Sequence, residues 1–277
     1  MQDKPECSSC AENTGGECGK DSDCGIDKLR ENFSSRIKNV VAVMSGKGGV
    51  GKSSITSLLA CHFREKGYKV GVLDADITGP SVPKMFGVRG MAASDGVAIL
   101  PPVTSTGIKI MSLNLLMDKE DDPVIWRGPI IAGAVKQFWT DVAWGELDYL
   151  IVDLPPGTGD VPLTVMQSLP LNGLMIVTSP QDLATLIVTK AIKMARQMNV
   201  PIMGLVENMS SAICPHCGEE ISLFGRGQGK EMAKSFGIPF IGSLPLDPVL
   251  SRLCDEGGIE KYSHTLFRGF DPMSRPQ

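Results

Sequence analysis

The chain has 277 residues, 42% of them hydrophobic and 21% charged, with a net charge of −4. That balance fits one large globular domain with a sizeable core, and its mild acidity argues against nucleic acid as the main partner. No apolar run approaches the roughly 20 residues of a membrane helix, and the N-terminus lacks the basic-then-apolar order of a secretory signal. Eight cysteines in such a chain point to a reducing, cytoplasmic setting, with thiols kept for metals or clusters rather than disulfides.

Residues 1–35 carry Cys7, Cys10, Cys18 and Cys24 among Gly, Ser, Asp and Glu, with almost no aliphatic side chain before Ile26. Such a segment cannot bury a core of its own. It is either disordered or ordered by what its cysteines hold. The spacing C-x₂-C-x₇-C-x₅-C is a complete set of four thiolates, enough for one [4Fe–4S] cluster or one Zn²⁺.

The body, residues 36–277, opens on an apolar run, 40–45, that reads as a buried strand. Gly46-Lys47-Gly48-Gly49-Val50-Gly51-Lys52-Ser53 follows, then Ser54 and a helical stretch over 53–66. Strand, glycine loop and helix are the context that the phosphate-binding pattern G-x-x-x-x-G-K-[ST] requires. The glycines let backbone N–H groups turn toward phosphate oxygens, and the helix N-terminus adds partial positive charge. Lys52 is expected to reach the terminal phosphates and the Ser53 hydroxyl to bind Mg²⁺.

Further strands are expected at 69–74, 149–153, 174–178, 202–207 and 240–242, and helices near 129–143, 160–168, 182–198, 228–236 and 247–255. Apolar strands alternating with helices imply a mostly parallel sheet flanked by helices, an α/β P-loop NTPase fold with ligands at the carboxyl ends of the strands. A small hairpin is expected from 97–100 and 107–111. The second strand ends in Asp74-Ala75-Asp76 and a later one in Asp153. An acid beside the phosphate loop can orient an attacking water, and a carboxylate at the end of a buried strand is suited to Mg²⁺. Gly157 and Gly159 leave the loop after Asp153 free to move with the terminal phosphate.

Cys214-Pro215-His216-Cys217 projects two thiolates to one point, whereas a tetrahedral metal or a cubane cluster takes four ligands. A symmetric dimer presents one patch twice, so two such pairs would make the set. A zinc knuckle with His216 as an added ligand is the competing reading, but no second C-x₂-C occurs in the body. Cys61 and Cys254 read as small core residues.

GKGGVGKS, the string from Asp74 to Ser81, DLPPGTGD at 153–160, Trp126-Arg127-Gly128-Pro129 and Val206-Glu207-Asn208-Met209-Ser210 together resemble the Mrp/ApbC/nucleotide-binding-protein branch of the MinD/ParA/nitrogenase-iron-protein superfamily. The resemblance covers about residues 37–256. It implies an ATPase that forms a homodimer around ATP, carries a [4Fe–4S] cluster on paired Cys214/Cys217, and passes it to apoproteins. Hydrolysis is expected to be slow, since nothing in the chain resembles a dedicated arginine finger, and neither nucleic acid nor membrane is expected as a partner. The resemblance also implies that Lys47 crosses the dimer interface to the partner's phosphates, that Asp76 positions the attacking water, and that Asn208 and the Pro245-Leu246-Asp247 loop read the adenine. The subgroup that assembles cytosolic iron–sulfur proteins also has four N-terminal cysteines. Its close pair falls in the middle, whereas here it comes first. Two rival functions remain at this stage. A donor like the nitrogenase iron protein would want a cysteine in the loop 154–159, which has none. A positioning ATPase of the MinD/ParA kind, with structural zinc, would want a basic amphipathic C-terminal helix, but glycine and proline interrupt residues 261–272.

Overall fold

The computed structural model describes residues 28–270 except 77–78, 80, 118–127, 182, 215, 224 and 226, and of 128–132 and 183–185 only the backbone. Cys7, Cys10, Cys18, Cys24, Trp126 and Arg127 therefore lie outside the described residues. In chain order the elements are β1 (Arg36–Ser45), α1 (Lys52–Glu65), β2 (Val70–Asp74), α2 (Val82–Met85), β3 (Ala93–Ser94), β4 (Ile99–Leu100) and β5 (Lys109–Ser112). They continue with α3 (Gly128–Thr140), β6 (Glu146–Asp153), α4 (Asp160–Ser168), β7 (Gly173–Thr178), α5 (Leu183–Gln197), β8 (Ile202–Ile213), β9 (Glu220–Ile221), α6 (Gly229–Phe236), β10 (Phe240–Leu246) and α7 (Pro248–Glu256).

Strands β10-β8-β7-β1-β6-β2-β5 lie in that order, every neighbouring pair parallel. The short β9 runs antiparallel against the far end of β8. β1 is central, with β6 on one side and β7 on the other. The connection from β1 runs to β2 on one side and that from β7 to β8 on the other, which opens a crevice at the carboxyl ends of β1 and β7. The phosphate loop begins there.

The apolar strands are buried on both faces, as a parallel sheet between helical layers demands. In β1, Val41 and Val43 pack with α1, Leu250 of α7 and the C-terminal Phe267. Val40, Ala42 and Met44 point the other way, to side chains of α3, α4, α5 and α6. Residues before the sheet are tied to the same body. The Leu29 N–H donates to the Ser168 carbonyl (2.9 Å), and the Trp139 indole N–H donates to the Leu29 carbonyl (3.1 Å).

Two expectations are corrected. The 97–100 and 107–111 segments do not form a hairpin with each other. β4 pairs with β3, while β5 joins the main sheet beside β2, leaving only an isolated bridge between Val103 and Lys109. The apolar Ile108, Ile110 and Met111 gain full burial in the sheet, which a two-stranded surface ribbon would not give them. Second, β8 does not stop at 207 but runs to Ile213. Asn208-Met209-Ser210-Ser211 is a polar break in the apolar pattern, and it disguises an irregularity inside a continuing strand.

Candidate functional site

The phosphate loop turns on two left-handed glycines, Gly49 (φ 79°) and Gly51 (φ 74°), a region L-residues avoid. At Gly51 space excludes other residues as well, because a Cβ would fall 2.2 Å from the Asn208 side-chain nitrogen. Gly46 is packed against Ile187 of α5. Val50 is buried in the core and anchors the loop from below. Gly51 caps α1, so Lys52, Ser53 and Ser54 occupy its first turn, where free N–H groups and the helix dipole favour an anion.

Below the loop, Asp153 is fully buried and organises the polar centre. Its Oδ2 accepts from Lys52 Nζ (2.7 Å) and from the Ser53 hydroxyl (2.6 Å), and its Oδ1 from the Thr56 hydroxyl (2.6 Å). Asp76 Oδ2 lies 3.7 Å from the same ammonium. A hydroxyl and a carboxylate in contact are hard oxygen donors of the kind Mg²⁺ takes, so this donor set fits that ion. Lys47 donates instead to the side-chain oxygen of Gln181 in its own chain.

Asp74 faces Asp153 in the β2–β6 register and is 1% exposed. Its oxygens accept the N–H groups of Asp76, Ser81 and Val82, each at 3.1 Å, and so fix the segment that carries Asp76. Burial, and next the Asp153 carboxylate, push its carboxyl up to about 8, against the pull of Lys52 and those N–H donors. The folded-state pKa lies above the unfolded value of about 3.9. Asp74 therefore adds stability that is complete below about pH 4 and is lost as pH rises through about 8. Without nucleotide, the wild-type melting temperature should fall from pH 6 to pH 9 more steeply than that of Asp74→Asn, which has no charge to bury. Parallel curves would refute this assignment.

A groove of about 780 Å³ continues from the loop, lined by Gly51, Asn208, Met209, Pro245, Asp247 and Arg252 among others. It shares Gly51, Ser54 and Met85 with the smaller phosphate-loop hollow. Asn208 Nδ2 donates to the Val50 carbonyl (2.9 Å), bracing the loop from the groove side. Asp247 caps α7 through the Val249 N–H (2.7 Å) and accepts from the Tyr262 hydroxyl (2.8 Å). Burial and then that bond push the Tyr262 hydroxyl up to about 12.

Beyond the groove, β8 and β9 form a hairpin with Cys214 and Cys217 at its tip. The Cys214 N–H donates to the Glu219 carbonyl and the Gly218 N–H to the Cys214 carbonyl, both at 2.9 Å. Gly218 (φ 74°) closes the turn. The N–H groups of Cys217 and His216, then the Cys217 thiol, hold the Cys214 thiol below its ordinary value. Both thiols are free, Cys214 half-buried and Cys217 exposed, amid exposed Ile213, Ile221 and Leu223. Among the described residues no group of three or more His, Cys, Asp or Glu side chains is placed to hold a metal. Cys61 is buried, and burial pushes its thiol up to about 12, while Cys254 is half-buried beside the groove.

The family described as NUBPL iron-transfer P-loop NTPase, within ParA, matches residues 36–268. The chain belongs to this family. It is 51% identical over 232 residues to the iron-sulfur cluster carrier protein of Methanocaldococcus jannaschii, covering 83% of this chain and 80% of that one. It is 47% identical over 268 residues to the carrier protein of Clostridium perfringens, covering 92% and 94%. The cytosolic Fe-S cluster assembly factor CFD1 of Kluyveromyces lactis is 45% identical over 228 residues, covering 79% and 81%. Among solved structures, a nucleotide-binding protein of Archaeoglobus fulgidus in complex with ADP has a TM-score of 0.77 and 46% identity, covering 87% of this chain and 95% of that chain. MinD of Pyrococcus horikoshii with Mg-ADP, 20% identical with a TM-score of 0.56 and covering 80% and 86%, shares the fold.

In the sequence alone, Thr56 and Gln181 carry no assigned role at this site, and Asp74 is named only as the end of a strand. Thr56 lies one helical turn after Lys52 on the same face, a spacing that could have revealed it. Asp74 alternates with Asp76, and only its strand register shows that it meets Asp153. Gln181 stands in a loop after β7, and nothing in the sequence marked it as a partner for Lys47.

Proposed function

We propose that this chain is a nucleotide-hydrolysing carrier that accepts an iron–sulfur cluster as cargo and delivers it to apoproteins in a reducing, cytoplasmic setting. The observation that carries the reading is an exposed two-thiol hairpin, short of a full ligand set, rooted in the strand that braces a phosphate loop. Two copies meeting on the apolar rim of Ile213, Ile221 and Leu223 would bring Cys214 and Cys217 together with their counterparts and supply four thiolates to a [4Fe–4S] cluster. Cargo held by few, exposed ligands can be released. Cys7, Cys10, Cys18 and Cys24 form a second set of thiolates for a cluster.

In this reading ATP lies with its phosphates on the N–H groups of residues 48–53 and its base in the groove beside Asn208, Pro245 and Asp247. Lys52 neutralises phosphate charge while Asp153 holds the lysine in place. Bound Mg²⁺, reached by Ser53 with Asp153 behind it, would supply further charge neutralisation. Asp76 orients the attacking water. Lys47 leaves Gln181 to reach a partner's phosphates when two copies close. Hydrolysis is slow, since no arginine is among the described residues lining the phosphate-loop hollow to act as an arginine finger.

The test is anaerobic loading with iron and sulfide, followed by transfer to an apo iron–sulfur enzyme with and without Mg-ATP. Labile sulfide on the carrier and reactivation of the acceptor at a nucleotide-dependent rate are expected. Zinc bound without sulfide, or a cluster that cycles in redox state and is never released, would overturn the proposal.

A further inference from the structure

β8 changes character between the nucleotide groove and the cysteines. Against β10 its register runs Glu207↔Ser243, Asn208↔Leu244, and then Ala212↔Leu246. Three β8 residues, Met209, Ser210 and Ser211, thus stand opposite Pro245 alone, a bulge with two extra residues. Met209 has φ 56°, one of two described non-glycine residues with positive φ. The Ser211 hydroxyl is buried, with no hydrogen-bond partner among the described residues. A strained backbone and an unpaired buried hydroxyl at one spot mark a segment with a second arrangement to adopt. On the other side β7 ends at Thr178, opposite Glu207, so beyond this point β7 no longer flanks β8.

Glu207 and Asn208 stand at the near edge of this bulge and, as neighbours in a strand, face opposite ways. Asn208 holds the phosphate loop through Val50. Glu207, 5% exposed, accepts the N–H of Gly229, the first residue of α6, at 2.8 Å. A Cβ on Gly227 would fall 2.1 Å from a Glu207 carboxylate oxygen. The cysteine loop is therefore rooted twice in one stretch of strand, at its entry through the bulge and at its exit through Glu207.

We propose that Glu207 is the positioning residue that couples the nucleotide groove to the cysteine hairpin, with Met209–Ser211 as the hinge. Met209 lines the groove beside Asn208. A nucleotide that bears on these two side chains re-sets the bulge. With its exit root clamped by Glu207, the loop has to answer by moving its tip. Coupling of this kind is reciprocal, so the state of the hairpin also alters nucleotide affinity. The proposal deepens the carrier reading, since it gives the route by which nucleotide would govern cargo release, but its test needs no cargo.

The test is amide hydrogen exchange of residues 212–221 in the full chain, with and without Mg-ADP, in wild type, Glu207→Ala and Glu207→Gln. Exchange in the wild-type hairpin should change about five-fold or more on ADP binding, the lower end of ordinary coupling. In Glu207→Ala the change should fall below about two-fold while ADP still binds, and Glu207→Gln, which keeps an acceptor for Gly229, should restore most of it. A merely structural glutamate would raise exchange equally with and without ADP. An ADP response equal in wild type and Glu207→Ala, or absent in wild type, overturns the proposal. Should Glu207→Ala fail to fold, Gly227→Ala, which forces the same clamp open, is expected to lose the response, and retention would overturn the proposal equally. A wild type that shows the response but never loads a cluster would sink the carrier reading and leave this coupling standing.

Discussion

Asp153→Ala should be the most damaging single substitution in the body. Asp153 is fully buried and is the acceptor for Lys52, Ser53 and Thr56 together. Without it, a lysine only 6% exposed loses its nearest carboxylate, and Asp76 at 3.7 Å is too far for a good hydrogen bond. Breaking a buried pair in this way costs about 3–5 kcal/mol, which for a domain of this size lowers the melting temperature by roughly 6–20 °C. ATP turnover should fall by about 100-fold or more, since both Lys52 and Ser53 lose the group that aims them. Asp153→Asn separates the two effects. It keeps one acceptor and the volume, so its melting temperature should recover by about half or more of the loss, while turnover stays low. Loss of a neighbouring negative charge also lets the Asp74 carboxyl ionise more readily. Wild-type turnover in Asp153→Asn would remove Asp153 from the chemistry and leave it a structural residue.

The polar centre shows what a sequence can and cannot disclose. The strand–glycine–lysine–helix order is local, and local geometry is what a sequence encodes most directly. The loop residues 46–54 and the strand-end position of Asp153 were therefore legible without coordinates. α4 was expected at 160–168 and spans Asp160–Ser168, because apolar spacing and a following Leu169-Pro170 define both ends. Long-range facts were not legible. The meeting of Asp74 with Asp153 depends on β2 and β6 being neighbours in register, and the two are more than seventy residues apart in the chain. The placement of β5 beside β2 depends on tertiary burial overriding a local hairpin pattern. The true length of β8 was hidden because a bulge reads as a loop: Met209, Ser210 and Ser211 break the apolar run while the strand goes on to Ile213. That hidden stretch is also the one that joins the groove to the cysteines, so the connection between the two sites was the part that the sequence concealed.

The second large effect is expected from Cys214→Ser combined with Cys217→Ser. Both positions lie at a hairpin tip, Cys217 exposed and Cys214 half-buried, and neither belongs to the core. Stability should change by no more than about 0.5 kcal/mol, and ADP affinity, measured by calorimetry without cluster, should stay near wild type. Labile sulfide and the broad absorbance of a thiolate-bound cluster near about 400 nm should fall by half or more, because serine oxygen is a poor substitute for thiolate toward iron. What remains should belong to Cys7, Cys10, Cys18 and Cys24, and a chain lacking residues 1–27 tests that directly. Trimming at 27 spares Leu29 and Asn32, whose hydrogen bonds to Ser168, Trp139 and Thr140 hold the start of the body in place. Loss of sulfide from each variant in part, and from the combination entirely, would assign two independent cluster sites. Transfer to an apo acceptor should then fail in the Cys214/Cys217 variant even with the N-terminal site loaded, because the carrier reading places release at the hairpin, where Cys217 is exposed and Cys214 half-buried. Undiminished sulfide in that variant would move the cargo site away from the hairpin and leave its thiols without a role in transfer.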